Sequence, residues 1–84
     1  MGKYQKIIEK ILLGQADKNI DFKQLCQIMK LLGFTERIRG SHHIFVQDGI
    51  KELVNLQEAG KKAKPYQVRQ VRKMILKYHL EIKE

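Results

Sequence analysis

The sequence has little of several residue types, and each scarcity limits what the chain can be. It has no tryptophan, one proline and a single cysteine, Cys26, among its 84 residues. One cysteine cannot form an internal disulfide, so we expect a chain of the reducing cytoplasm with Cys26 as a buried thiol. No apolar run approaches the roughly 20 residues that cross a bilayer, and no signal-peptide pattern opens the chain.

The small size limits the kind of site that the chain can build. We expect one domain over residues 1–84. A domain of this length buries about 60–65% of the surface that its unfolded chain exposes, which supports one modest core. A functional site therefore has to lie on the surface or in a shallow groove.

Acidic residues are also in the minority. The formal net charge is +8, with a sequence pI near 9.8. Six of these net charges lie from Lys61 onward. A field of this sign favours polyanions, meaning nucleic acid, an acidic protein or anionic lipid.

Apolar residues at helical spacing predict three helices. The first covers residues 3–13 and ends before Gly14. The second follows Asp21, which can cap it with Gln24, and ends at Gly33. The third runs from about 65 to 79, with Pro65 in its first turn, where the missing N–H does no harm.

Alternating residues predict three strands between the second and third helices. They cover residues 34–39, 41–47 and 50–57, with a tight turn at Arg39-Gly40 and a hairpin turn at Asp48-Gly49. Residues 58–64 are predicted to be a loop. The fold class is therefore α+β, in the order α-α-β-β-β-α, with an antiparallel three-stranded sheet and helices packed on one face.

The third helix carries a row of cations that predicts contact with a polyanion. The row consists of Arg69, Arg72, Lys73 and Lys77. These residues recur at i, i+3, i+4 and i+8, so they line one side of the helix. A basic loop precedes them, close to the helix N-terminus. Such a surface can follow a phosphate backbone, although a solvated helix face is the alternative. Few aromatics argue against base stacking as the main mode of binding. The predicted RNA-binding residues are Lys61, Lys62, Lys64, Arg69, Arg72 and Lys73.

Two neighbouring histidines, His42 and His43, pose the main question about chemistry. Neighbouring strand residues point to opposite faces, so the pair cannot easily ligate one metal, and no other spacing supports a zinc site. For the same reason Ser41 and His42 make a poor nucleophile–base pair. RNA, in contrast, carries its own nucleophile, the 2′-hydroxyl, and a histidine can take its proton. A structural role for both histidines stays open.

Groups beside the histidines fit a scissile phosphate. Arg37 and Arg39 precede them, and guanidinium groups stabilise the charge that develops on phosphate oxygens. Gly40 lets a backbone approach without a side chain in the way. Strand alternation does not choose between His42 and His43.

The segment LGFTERIRGSHHIF resembles the hallmark of the HicA-type mRNA interferase toxins, in which Gly-Ser-His opens a strand after a helix that ends in Leu-Gly-Phe. The closing segment KPYQVRQVRKMILKYHL is similar to the last helix of a longer subgroup. The resemblance implies a fold like the double-stranded-RNA-binding domain over residues 19–80. Residues 1–18 would then be a helical extension.

The resemblance also implies a function. It implies metal-independent endonucleolytic cleavage of mRNA, with His42 as the catalytic histidine, no cofactor and a HicB-type antitoxin as partner. We expect the free toxin to be a monomer. Typical members carry a second histidine near the end of the third strand, where this chain has Gln57. The residues expected to support His42 and the phosphate are Arg37, Arg39, Gly40, Ser41, His43 and Gln57.

Two other functions are compatible with the sequence. The chain could be a non-catalytic RNA-binding module, whose binding would survive loss of His42. It could also be an adaptor whose basic face meets only an acidic protein. RNA cleavage and RNA binding measured with purified protein separate the three.

Overall fold

The structure, a computed structural model, describes residues 2–82. Lys83, one of the cations of the basic C-terminal third, lies outside the described residues. No helix within residues 2–82 is both long enough and apolar enough to cross a membrane. The elements are α1 (Lys3–Leu13), a short 3₁₀ segment (Asp17–Asn19), α2 (Phe22–Leu31), β1 (Thr35–Arg39), β2 (His42–Gln47), β3 (Ile50–Ala59), β4 (Lys62–Ala63) and α3 (Pro65–Tyr78).

The predicted helix ends are confirmed at the residues that were expected to make them. Gly14 follows α1 with φ +73°, a left-handed conformation that glycine adopts without steric cost. The Asp21 carboxylate accepts a hydrogen bond of 2.9 Å from the backbone N–H of Gln24 and so caps α2. Pro65 occupies the first turn of α3.

The sheet has four antiparallel strands in the order β1-β2-β3-β4, so the prediction of three strands is wrong. β3 continues to Ala59, and Gly60, with φ +66°, turns the chain back. Lys62 and Ala63 then pair with Ala59 and Glu58. Residues 58–64 were predicted to be a loop because a two-residue strand beside a glycine turn has no alternating pattern to detect. The likeness to a double-stranded-RNA-binding domain stays a prediction.

One face of the sheet packs against the helices. Phe45 on β2 and Val54 and Leu56 on β3 are fully buried and share one core with residues of all three helices. Cys26 of α2 belongs to this core, as predicted. Burial raises the pKa of its thiol to about 12, so the group is a neutral, apolar component of the core.

The strand register determines which residues lie on the other face of the sheet, here called the open face. His42 lies opposite Gln57 on β3 and opposite Arg39 on β1. Because side chains alternate along a strand, Arg37 and Asn55 lie on the same face as these three. The open face therefore brings residues of β1, β2 and β3 together.

An ion pair ties the N-terminal part of the chain to α3. Arg72 donates to both carboxylate oxygens of Asp17, at 2.9 and 3.2 Å, and to the carbonyl oxygen of Ile11, at 3.0 Å. Such two-pronged charge-assisted bonds are among the stronger polar contacts in proteins. Together with the buried Ile8 and Ile11, they fix α1 on the core.

Helix α3 also covers the edge of β3 that β4 leaves unpaired. The side-chain oxygen of the buried Gln67 accepts a hydrogen bond of 3.1 Å from the backbone N–H of Gln57. The Gln70 side chain donates to the carbonyl oxygen of Leu53 at 3.5 Å. Two glutamines thus replace a neighbouring strand and place the first turns of α3 beside the open face.

Candidate active site

A two-residue turn presents His42 to solvent. Gly40 and Ser41 connect β1 to β2, and Gly40 has φ +58°, the conformation that tight hairpin turns require at their first central residue. A Cβ atom at Gly40 would have no neighbour within 4 Å, so the backbone there is open to a ligand. His42 begins β2 immediately after this turn and is exposed.

A hydrogen bond from β3 orients the His42 ring. Nδ1 of His42 lies 3.2 Å from Oδ1 of Asn55. A side-chain amide oxygen only accepts hydrogen bonds, so the proton of the neutral ring is on Nδ1. The lone pair is then on Nε2, which is the form of imidazole that removes a proton from a substrate.

Gln57 joins the turn to the start of α3. Its side-chain nitrogen donates to the hydroxyl of Ser41 at 3.1 Å, and its side-chain oxygen accepts from Nζ of Lys64 at 3.2 Å. Since Gln57 lies directly opposite His42, this chain of contacts holds one ammonium group on the His42 side of the sheet. Ser41, Gln57 and Lys64 are thus three predicted site residues that the structure brings together.

His43 lies on the opposite face, among the helices. Its Nδ1 lies 2.7 Å from a carboxylate oxygen of Glu36, and its ring packs edge-on against Phe22, with centroids 4.9 Å apart. The other oxygen of Glu36 lies 2.9 Å from Nζ of Lys30. The hydrogen bonds from His43 and Lys30 lower the pKa of Glu36. This network indicates a structural role for His43 and separates it from His42.

The same network contains a group of possible metal ligands. Among residues 2–82, Cys26, Glu36 and His43 place one ligand atom each within 4.8 Å of one another. Metals bind the thiolate form of cysteine, whereas burial raises the pKa of this thiol to about 12. Both oxygens of Glu36 are already engaged, by His43 and Lys30. The arrangement therefore favours a hydrogen-bonded structural cluster over a metal centre.

The predicted cations are divided between several places. Arg37 and Arg39 are exposed on the open face with His42. Lys62 lies opposite Ala59, two residues beyond Gln57, and so shares the face of Gln57. Four cations are therefore on the open face or bound to a residue of it: Arg37, Arg39, Lys62 and Lys64.

The remaining cations lie elsewhere. Lys61 borders a cavity with Asp21, Lys23 and Glu58. Arg69 borders another, beside the 3₁₀ segment. Arg72 is bound to Asp17, and only 20% of its side chain is exposed. The predicted single row of cations on α3 is therefore divided, because two of its members are in ion pairs: Arg72 with Asp17 and Lys77 with Glu52.

A cavity of about 250 Å³ lies beside His42, between the open face and α3. Its helical wall consists of Tyr66 and Gln67, in the first turn of α3, and Gln70, one turn later. Lys73 is exposed and lies three residues after Gln70 and seven after Tyr66, so it lies on the same side of α3. The wall formed by the sheet consists of His42, Leu53, Asn55 and Gln57.

Five residues that line the cavity were not predicted from the sequence: Leu53, Asn55, Tyr66, Gln67 and Gln70. A signal for Asn55 was present, because it lies two residues before Gln57 on a strand and must share its face. Tyr66 and Gln70 come near His42 only through the packing of α3 on the edge of β3. No local pattern in the sequence encodes that contact.

Comparison with known protein families identifies the family of the chain. The sequence model of a family described as "HicA toxin of bacterial toxin-antitoxin" matches residues 22–77, which is two thirds of the chain. The match begins at α2 and includes the whole sheet and nearly all of α3, while α1 and the 3₁₀ segment lie outside it. No curated protein and no solved structure matches the chain.

Proposed function

Because this chain belongs to the HicA toxin family, it is the toxin of a toxin–antitoxin pair, and we propose that it acts by cutting mRNA at His42. The observation that supports this most directly is the exposure and orientation of the His42 side chain. It is exposed, it is oriented by Asn55 through Nδ1, and its Nε2 is free to act as a base.

The RNA supplies the nucleophile in this reaction. Nε2 of His42 takes the proton of a ribose 2′-hydroxyl, and the resulting oxygen attacks the adjacent phosphorus. A bond forms between O2′ and phosphorus as the bond from phosphorus to O5′ breaks. The departing oxygen takes a proton from water. The products are a 2′,3′-cyclic phosphate and a 5′-hydroxyl, and no metal is needed.

Cations on both sides of His42 support the proposal. Arg39 lies opposite His42, and Arg37 lies on the same strand and face. Lys64 approaches from the other side, through Gln57. Positive groups placed where charge develops on the phosphate oxygens lower the barrier, and the open turn at Gly40 admits the backbone of the substrate.

Gln57 takes the place of the second histidine that the HicA-type hallmark leads one to expect. It cannot donate a proton as an acid, but it holds Ser41 and Lys64 near the phosphate position. Cleavage through one imidazole is therefore expected to be slower than through two, since each positioned proton transfer is worth about 10²–10⁴ in rate.

The family implies an antitoxin partner. We propose a HicB-type protein that covers the open face with acidic groups, in the cytoplasm where mRNA is found. The net charge of +8 supports both the RNA and such a partner, because either one supplies the opposite charge.

The test compares His42→Ala with wild type on single-stranded RNA. The matched control is His79→Asn, which changes another exposed imidazole and keeps a residue that tolerates the left-handed conformation at φ +51°. We expect His42→Ala to cleave about 10²- to 10⁴-fold more slowly than wild type and His79→Asn to cleave at the wild-type rate. Wild-type fragments should end in 2′,3′-cyclic phosphates, and a substrate with 2′-deoxyribose throughout should stay intact.

Equal cleavage by His42→Ala and wild type would remove His42 from the mechanism. If wild type binds RNA but cleaves none, and is shown to be folded and free of antitoxin, the chain is a binding module instead. If it binds only an acidic protein, with no RNA bound at low salt, it is an adaptor.

A further inference from the structure

The cavity beside His42 combines features that a phosphate site does not need. Two of its lining residues are large, apolar and open to solvent: Leu53 is 53% exposed and Tyr66 is 55% exposed. Single exposed apolar residues are ordinary on protein surfaces. Here two of them border the same cavity, next to the candidate catalytic base.

Hydrogen bonds fix the turn of α3 that carries Tyr66. Tyr66 lies in the first turn of α3, and its hydroxyl accepts a hydrogen bond of 3.4 Å from the side-chain nitrogen of Gln67. Gln67 is itself 2% exposed, and its oxygen is bound to the backbone N–H of Gln57. Because Gln67 fixes this turn of α3 on β3, the Tyr66 ring lies beside the cavity before any ligand arrives, with or without its hydroxyl. This placement reduces the entropy that binding would cost.

Besides the His42 imidazole and the Tyr66 hydroxyl, the polar groups of the cavity are neutral side-chain amides. Asn55 uses its oxygen on His42, which leaves its NH₂ group for a ligand. Gln70 uses its nitrogen on Leu53, which leaves its oxygen as an acceptor. A donor and an acceptor from neutral amides match the edges of nucleobases, which carry both kinds of group.

We infer that this cavity is a nucleobase subsite, in which an unpaired base next to the cut phosphate stacks on Tyr66. Leu53 contacts the base from the sheet, and the amides of Asn55 and Gln70 meet its edge. At about 250 Å³ the cavity is smaller than the roughly 300–1,000 Å³ that encloses a drug-sized molecule, so it suits one base.

This inference deepens the proposed function and rests on RNA being the polymer bound at His42. It changes what the sequence predicted, because the scarcity of aromatics argued against stacking. One aromatic residue at the cut position is enough to select single-stranded over paired RNA. A base in a duplex is already stacked on both sides and cannot reach the ring.

The test measures binding without cleavage. The probes are single-stranded hexanucleotides with 2′-deoxyribose throughout, which have no 2′-hydroxyl and cannot be cut by the proposed route. One carries six adenines, and the other is abasic with the same phosphates. Their affinities are compared by fluorescence anisotropy for wild type, Tyr66→Ala, Tyr66→Phe and Leu76→Ala. Leu76 is an equally exposed residue of α3 that does not line the cavity.

We expect wild type to bind the adenine probe about 5- to 100-fold more tightly than the abasic probe, the range of one stacked base. Tyr66→Ala should bind the two probes alike, while Tyr66→Phe and Leu76→Ala keep the wild-type ratio. An unchanged ratio in Tyr66→Ala, or equal binding of both probes by wild type, would overturn the subsite. Neither result depends on whether His42→Ala still cleaves RNA, so the two proposals fail separately.

Discussion

His42 and Gln57 lie directly opposite each other on β2 and β3, with both side chains on the open face of the sheet. Each is held by a different neighbour: His42 by Asn55, and Gln57 by Ser41 and Lys64. In the proposed mechanism, His42 provides the base and Gln57 fixes a cation beside it. The chemistry proposed for the chain depends on this division.

Replacing Asn55 by aspartate should change the pH dependence of cleavage. A carboxylate beside Nδ1 stabilises the imidazolium form of His42, which cannot act as a base. The acidic limb of the pH–rate profile should therefore shift by about one unit toward higher pH, and the rate at high pH should be retained. Cleavage rates between pH 5 and 9 measure this shift, with Asn55→Ala as the uncharged control. Superimposable profiles for aspartate and wild type would contradict the orienting role of Asn55.

Two cations of α3 should differ in their effect on RNA binding. Lys73→Met should reduce the slope of log affinity against log salt by about 0.7, the value for one phosphate contact on a single strand. Arg72→Met should leave this slope unchanged, because its guanidinium is bound to Asp17. Binding titrations at several salt concentrations check both variants. The result that would refute this assignment is a lower slope for Arg72→Met with no change for Lys73→Met.

Acid should weaken the contact between β3 and α3. The Glu52 carboxylate accepts from Nζ of Lys77 at 2.7 Å and from the hydroxyl of Tyr78, which lowers its pKa from 4.5 to about 2. A carboxyl group whose pKa is lower in the folded state stabilises the fold above its unfolded pKa and loses this effect as pH falls. The free energy of unfolding of wild type should therefore exceed that of Glu52→Gln above pH 4.5, and the two should converge toward pH 2.

Urea denaturation of both proteins at pH 7, 4, 3 and 2 measures this convergence. Other carboxyl groups, including Glu36, titrate in both proteins and cancel in the difference. A difference that is constant with pH would show that Glu52 gains nothing from its charge.

Two glycines with positive φ should differ in their tolerance of alanine. Gly33, with φ +104°, would place a Cβ atom 2.9 Å from the side-chain nitrogen of Gln47, whereas Gly40, with φ +58°, has nothing within 4 Å. Gly40→Ala should cost about 1–2 kcal/mol from backbone strain alone. Gly33→Ala should cost more, because φ +104° lies farther from the left-handed minimum at about +57° and the Gln47 amide must also shift. Urea denaturation ranks the two, and equal losses would contradict this order.

The local parts of the fold could be predicted from the sequence. Helical spacing predicted α1 over residues 3–13, where the structure has it, and capping chemistry placed the ends at Gly14, Asp21 and Pro65. Alternation found β1, β2 and β3 and put Gln57 near the end of β3. These features depend on residues close together in the chain, so the sequence carries them.

The features that were missed depend on distant partners. Arg72 was predicted to be a free cation, but Asp17, 55 residues away, binds it in the folded chain. Tyr66 joins the site only because Gln67 and Gln70 dock α3 on the edge of β3. Strand β4 has two residues and exists because Ala59 and Glu58 are there to pair with it. No local pattern specifies any of these contacts.

The two glutamines of α3 also bear on how copies of the chain meet. They bond the N–H of Gln57 and the carbonyl oxygen of Leu53 on the edge of β3 that β4 leaves unpaired. Residues 20–22 pair with the outer side of β4. At the other end of the sheet, the outer edge of β1 pairs with no strand among residues 2–82, and β1 carries Arg37 and Arg39. Like charges there repel a second β1 and so disfavour edge-to-edge pairing of two copies of the toxin.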